Sequence, residues 1–381
     1  MTANLRHAVG SLLVVGLTGK ELTEMDRAWL KLIGPAGIIL FKRNIADAAQ
    51  TRALLKEATS YCLPHCTTFV DVEGGTVNRL REALAPIPSA QAVERAAQLL
   101  GKPALAREHG ALIARAVRAF GFNTSLAPMV DLALPDSAEV LGTRCAALAA
   151  AQVVAYAREF LAGMKAQGVV GCIKHFPGLG GGNLDSHLET PNIKRSWQQL
   201  WREDLEPYRA LRSQAPMVMV NHAAYSSTSA PKRPASVSNF WIQTVLRRRI
   251  GYRGIVLSDD LEMGGVTKFM SIEEAGIAAV RAGSDLVEVC HHPEPILRVY
   301  GAILREGERS AAFRKILRER ARVSERERVR VFPAKIPPAL GTKQFDALRA
   351  RILRFSESIE RIVPRATEAS PAKPPSIVET V

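Results

Sequence analysis

A chain of 381 residues with 47% hydrophobic content is long enough for one large, well-buried α/β domain and excludes wholesale disorder. No apolar run reaches membrane-spanning length, and five cysteines without framework spacing argue against a disulfide scaffold and fit a reducing compartment. The net charge of +14 leaves room for an anionic partner such as nucleic acid, anionic lipid or a polyanionic cell-wall polymer.

Along the chain, apolar runs that read as strands alternate with helical stretches. The first, Leu12–Leu17, lies in a short apolar segment without a small-residue cleavage pattern and is read as a strand, not as a signal peptide. Gly37–Phe41, Thr68–Val72, Asn123–Leu126, Val169–Ile173, Met217–Asn221, Ile255–Ser258 and Asp285–Val289 follow. Between the second and third, Cys62 and Cys66 bracket Leu63-Pro64-His65; with no second ligand pair they are read as free thiols, and no metal is expected. Strands alternating with helices argue for a parallel sheet, and eight of them argue for a single (β/α)8 barrel. The rival, an open doubly wound sheet, would need an early phosphate-binding glycine turn that the chain lacks.

A barrel collects its ionisable residues just beyond the strand ends. Lys42-Arg43-Asn44 follow Phe41, Asp71 and Glu73 follow Val70, Lys174 and His175 follow Ile173, Asn221 and His222 follow Val220, and Asp259 and Asp260 follow Ser258. Domain organisation is read as a catalytic barrel over 1–300, a basic helical extension over 301–363 and a disordered tail over 364–381. In the extension, helices are expected over Arg309–Val329 and Gln344–Ile362, the second amphipathic and able to pack on the barrel. Basic residues outnumber acidic ones two to one between Arg305 and Arg330, but apart from Phe313 no aromatic residue interleaves with them to stack bases. A solvated helix with pairs such as Glu319 and Arg322 is the preferred reading.

The densest chemistry lies in Lys174-His175-Phe176-Pro177-Gly178-Leu179-Gly180-Gly181-Gly182-Asn183-Leu184-Asp185-Ser186-His187. Its glycines read as a flexible loop beginning where the strand ends, able to close His187 over a ligand. Asp185 and His187, two apart, point the same way in extended backbone, so the carboxylate can orient the imidazole as a general acid/base. On spacing alone, a loop histidine that only turns the chain has equal claim.

This run resembles the Lys-His-Phe-Pro-Gly-His-Gly…Asp-Ser-His signature of family 3 glycoside hydrolases, in the bacterial β-N-acetylhexosaminidase branch, with Leu179 in place of a histidine. Gly37–Ile45, Asp71–Leu80 (Thr76 in place of an arginine), Ser125–Asp131, Gly142-Thr143-Arg144, Gly254–Met263 and Ala282–Leu286 are similar to further motifs of that family. The resemblance implies Asp259 as nucleophile, His187 as acid/base, Asp185 as its partner, and Asp71, Arg79, Arg144, Lys174 and His175 as sugar-binding residues. It implies a retaining exo-β-N-acetylglucosaminidase acting on peptidoglycan fragments, without cofactor or metal. The free cysteines fit a cytoplasmic location, the charge pattern argues against a nucleic-acid partner, and a monomer is expected. A β-glucosidase, a phosphorylase and a non-catalytic basic binding module are the alternatives. β-Glucosidase relatives usually draw their acid/base glutamate from an additional domain, which this chain is too short to add.

Overall fold

The computed structural model describes residues 2–182, 190–228, 231–332 and 338–364. Eight strands carry the architecture: β1 (Leu13–Gly16), β2 (Gly37–Leu40), β3 (Thr67–Val70), β4 (Thr124–Ser125), β5 (Val170–Phe176), β6 (Met217–Val220), β7 (Ile255–Ser258) and β8 (Val287–Val289). Every strand residue is buried, as expected where helices cover one face and the barrel interior the other. The strands run parallel in the order β7-β6-β5-β4-β3-β2-β1-β8. The two ends meet through a parallel bridge between Leu257 and Leu286, with Ser258 N–H donating to the Leu286 carbonyl at 3.0 Å. The sheet is therefore a closed barrel, and the open doubly wound alternative is excluded.

Three local features differ from the sequence reading. A helix, Thr2–Gly10, precedes β1. β5 runs on to Phe176, so Lys174 and His175 belong to the strand rather than to a loop; their backbone carries the ladder across a register shift against β6. After β3 the chain forms a small antiparallel hairpin, Val72–Gly74 with Val77–Asn78. Its turn requires glycine: Gly74 and Gly75 have φ of 94° and 61°, and a Cβ on Gly74 would lie 2.2 Å from the Pro88 carbonyl oxygen.

One apolar cluster fills the barrel interior, with Val14, Ile39, Phe69, Leu126, Cys172, Met219, Leu257, Leu286 and Cys290 contributed by alternate positions of the strands. The helix Pro293–Arg309 crosses residue 300 and packs on the barrel helix Ile272–Ala282. The helix Ala311–Val331 lies against the N-terminal ends of the strands. Buried Arg328 donates to the Pro64 and His65 carbonyls before β3, Ser324 donates to the Ser11 carbonyl before β1, and Phe332 joins the interior cluster. Arg328 is thus used internally, while Lys315, Arg322, Arg326 and Arg330 stay exposed on a solvated face. Glu319 pairs with Arg320 rather than with Arg322, and Arg320 also reaches Asp285. The helix Thr342–Ile362 buries Leu348, Ile352, Phe355 and Ile359, with Phe355 stacked on His109. Residues 365–381, in the expected disordered tail, lie outside the described residues. Cys62 and Cys66 are free thiols, and among the described residues no helix is long and apolar enough to cross a membrane.

Candidate active site

Alternation along the strands decides what faces the mouth. Phe69, Cys172, Leu257 and Leu286 all point into the barrel. Two residues further along each chain, on the same face, stand Asp71, Lys174, Asp259 and Glu288. These four, with Arg79, Arg144 and His175, line one pocket at the C-terminal mouth that encloses about 900 Å³, part of it open to solvent. Ile39, Leu126 and Met219 add apolar surface to it. Six of the eight residues singled out from the sequence therefore meet in one cavity. The other two, Asp185 and His187, lie in the segment 183–189, outside the described residues.

An ion network forms one wall. Arg144 holds Glu73 through two parallel hydrogen bonds, Nε to Oε2 and Nη2 to Oε1, each 2.9 Å. Lys174 Nζ lies 2.7 Å from both Glu73 Oε1 and Asp71 Oδ1. All but Asp71 are nearly inaccessible. Burial alone would raise the Glu73 carboxyl, but Arg144 and Lys174 outweigh it and hold the group below the usual carboxylate range. Burial would likewise lower Lys174, but Asp71 and Glu73 outweigh it and hold the ammonium above its ordinary value. Asp71, Arg144 and Lys174 of this network line the pocket, and their fixed charges suit a polyhydroxylated ligand. Arg79, also buried at the wall, is held below its ordinary value by desolvation, with Asp71 and Glu73 opposing.

Asp131 orders the next stretch. Its Oδ2 lies 2.7 Å from His175 Nδ1 and accepts the His175 N–H, while Oδ1 accepts the Leu179 N–H at 2.7 Å. This fixes the His175 ring and the start of the glycine-rich turn together. Leu179, the departure from the resembled signature, keeps that backbone bond and turns its side chain to the pocket wall. The glycines that follow are packed: a Cβ on Gly180, Gly181 or Gly182 would meet Leu132, Arg195 or Ile193 within 2.8 Å. Thr76, the other departure, is exposed in the hairpin turn.

Asp259 is half-buried and its Oδ1 accepts the Asp260 N–H at 3.0 Å. Asp260 does not cap the next helix, whose N-cap is Met263. It ties the β7 and β8 loops together instead, accepting the Glu262 and Cys290 N–H groups and lying 3.0 Å from His291 Nε2. His222 is buried below the mouth, against Ser236 and the Asp260 carbonyl. Sequence reasoning gave no role to Glu73, Asp131, His291 or Glu288. Glu288 stands out: 2% exposed, with no partner for Oε1 among the described residues. Burial, then the charges of Asp259, Asp260 and Asp71, push its carboxyl well above the usual carboxylate range. The signal in the sequence is a lone acid within an apolar strand, Val287-Glu288-Val289. Among the described residues no group of three His, Cys, Asp or Glu is placed to hold a metal ion.

The "Glycosyl hydrolase family 3 N terminal domain" model matches residues 4–323. A beta-hexosaminidase of Idiomarina loihiensis is 33% identical over 79% of this chain and 90% of its own length, and one of Methylococcus capsulatus is 38% identical over 75% and 85%. Among solved structures, a family 3 β-N-acetylglucosaminidase from Paenibacillus sp. FPU-7 superposes with a TM-score of 0.81 at 30% identity, over 92% of this chain and 68% of that one. Native NagZ from Neisseria gonorrhoeae gives 0.74 at 26%, over 92% and 97%.

Proposed function

Because the chain belongs to glycosyl hydrolase family 3, we propose that it is a retaining exo-β-N-acetylglucosaminidase that removes terminal β-linked N-acetylglucosamine, with peptidoglycan fragments in the cytoplasm as its substrates. The observation that carries the reading is the convergence of Asp71, Arg79, Arg144, Lys174, His175 and Asp259 on one pocket at the barrel mouth. A pyranose offers several hydroxyls, and this wall of paired charges offers charge-assisted hydrogen bonds to them.

In this mechanism Asp259 attacks the anomeric carbon while protonated His187, oriented by Asp185, gives its proton to the leaving oxygen. The C–O bond breaks and a glycosyl ester forms on Asp259. Neutral His187 then takes a proton from water, whose oxygen attacks the same carbon from the opposite face. The β configuration is restored and both residues return to their starting states. The histidine replaces one carboxyl of the usual pair.

The test is turnover of 4-nitrophenyl N-acetyl-β-glucosaminide beside the plain β-glucoside, with products analysed with and without phosphate. Preference for the N-acetyl sugar, free sugar as product, loss of turnover in Asp259→Ala, and a loss in His187→Ala that is much larger for poor leaving groups than for activated aryl glycosides are expected. A glycosyl phosphate product, or equal His187→Ala losses for both substrate types, would refute the reading.

A further inference from the structure

Closure of the barrel brings Glu288 and Asp259 into one pocket. Leu257 and Leu286 face each other across β7 and β8. Two residues further along each chain come Asp259 and Glu288, beyond the last seam pair, and both line the pocket at the mouth. Neighbouring strands lie about 4.8 Å apart. The seam is laced at this level: Glu288 N–H donates to Ser258 Oγ at 3.1 Å, and Leu261 N–H donates to the Glu288 carbonyl at 3.0 Å. On its other side Glu288 pairs in register with Val14. The groups that bear on it are Asp259 and Asp260 beyond β7, Asp71 beyond β3, Lys174 and Cys172 on β5, and Cys290 on its own strand.

A carboxyl buried as Glu288 is, and facing the charges of Asp259, Asp260 and Asp71, resists ionisation. Asp259 is half-exposed and accepts the Asp260 N–H. Glu288 is 2% exposed, and no donor among the described residues reaches Oε1. Lys174, the nearest cation, is already paired with Asp71 and Glu73. These surroundings favour the proton on Glu288.

We propose that Glu288 is a positioning residue for Asp259: a neutral carboxylic acid that donates a hydrogen bond to the nucleophile and so fixes which carboxylate oxygen faces the anomeric carbon. No proton changes hands. In the glycosyl ester the remaining carbonyl oxygen of Asp259 stays the acceptor, and hydrolysis restores the carboxylate. Ionising Glu288 at high pH removes the donor and sets two like charges against each other, so Glu288 limits the reaction on the alkaline side. The inference rests on Asp259 being the nucleophile of the proposed glycosidase.

The experiment compares E288Q and E288L. Gln keeps a neutral donor; Leu keeps only volume. An aryl N-acetyl-β-glucosaminide with an activated leaving group serves as substrate, because its glycosylation step does not need the His187 proton. E288L is expected to lose at least about tenfold in kcat with KM within about twofold, as a misaligned nucleophile should. E288Q is expected to keep most of the neutral-pH rate and to lose the alkaline decline of the wild type. An E288L rate equal to wild type, an E288Q as damaged as E288L, or an unchanged alkaline decline in E288Q overturns the proposal. A measurement independent of turnover separates this failure from failure of the glycosidase reading. Infrared difference spectra should show a protonated carboxyl at neutral pH in wild type that E288Q lacks, and in D259N it should titrate at lower pH. Absence of that band, or its insensitivity to D259N, also overturns it.

Discussion

Glu73 is the most informative single substitution in the ion network. Glu73→Gln keeps the side chain's shape but removes the charge that Arg144 grips through two 2.9 Å bonds and Lys174 through one of 2.7 Å. Two nearly inaccessible cations are then left with Asp71 as their only near anion within the network. Breaking a buried ion pair from one side costs about 3–5 kcal/mol. With an unfolding entropy of about 2.1 cal/mol/K per residue, a 381-residue chain should lose roughly 4–6 °C in Tm. Calorimetry at neutral pH, with reversibility checked by rescanning, measures this. The sign with pH follows from the depressed folded-state pKa of Glu73. Its contribution is fully present above the unfolded-state value, about 4.3, and fades as pH falls through the folded-state value. The gap between wild type and variant must therefore narrow on acidification. A Tm within 1 °C of wild type at neutral pH, or a gap that widens in acid, would refute the argument that these cations depend on Glu73.

Asp131→Asn should raise KM for the aryl N-acetylglucosaminide about tenfold with a smaller change in kcat, since a lost charge-assisted bond costs about 1–3 kcal/mol and frees the His175 ring; a pure kcat effect would contradict this. His109 is buried between Tyr156 and Phe355, and burial pushes its imidazole down to about 3. As pH falls from about 6.5 the unfolded chain takes up a proton that the folded chain refuses, so stability drops by up to about 1.4 kcal/mol per pH unit. Denaturant titrations of His109→Phe should show a shallower slope over that window, and an unchanged slope would clear His109 of the effect. Gly181 and Gly182 replaced together by alanine would press on Arg195 and Ile193, so turnover and Tm should fall together; lower turnover at unchanged Tm would instead implicate closure of the following segment.

The barrel was legible because buried parallel strands are mostly short apolar runs bounded by polar residues; β4, the polar pair Thr124–Ser125, is the exception and was read only from its neighbours Asn123 and Leu126. The mouth was legible for a related reason: in an alternating strand, the residue two beyond the last interior apolar side chain must face the cavity. That rule places Asp71 after Phe69, Lys174 after Cys172 and Asp259 after Leu257. It also contains what was overlooked. Applied to Leu286 it gives Glu288, but a single acid inside Val287-Glu288-Val289 looks like an interruption of a strand until closure of the barrel brings it into the pocket that Asp259 lines. Asp131 and Glu73 were hidden differently. Their roles come from partners distant in the chain, His175 and Leu179 for one, Arg144 and Lys174 for the other, and no local pattern encodes such pairings. The charge excess of Ala311–Val331 suggested a solvated surface, and Lys315, Arg322, Arg326 and Arg330 are exposed; of its basic residues Arg328 alone is buried, drawn into the barrel's base by the Pro64 and His65 carbonyls. What local sequence reveals is which residues can reach the cavity; which of them hold one another there depends on register and closure, properties of the sheet as a whole.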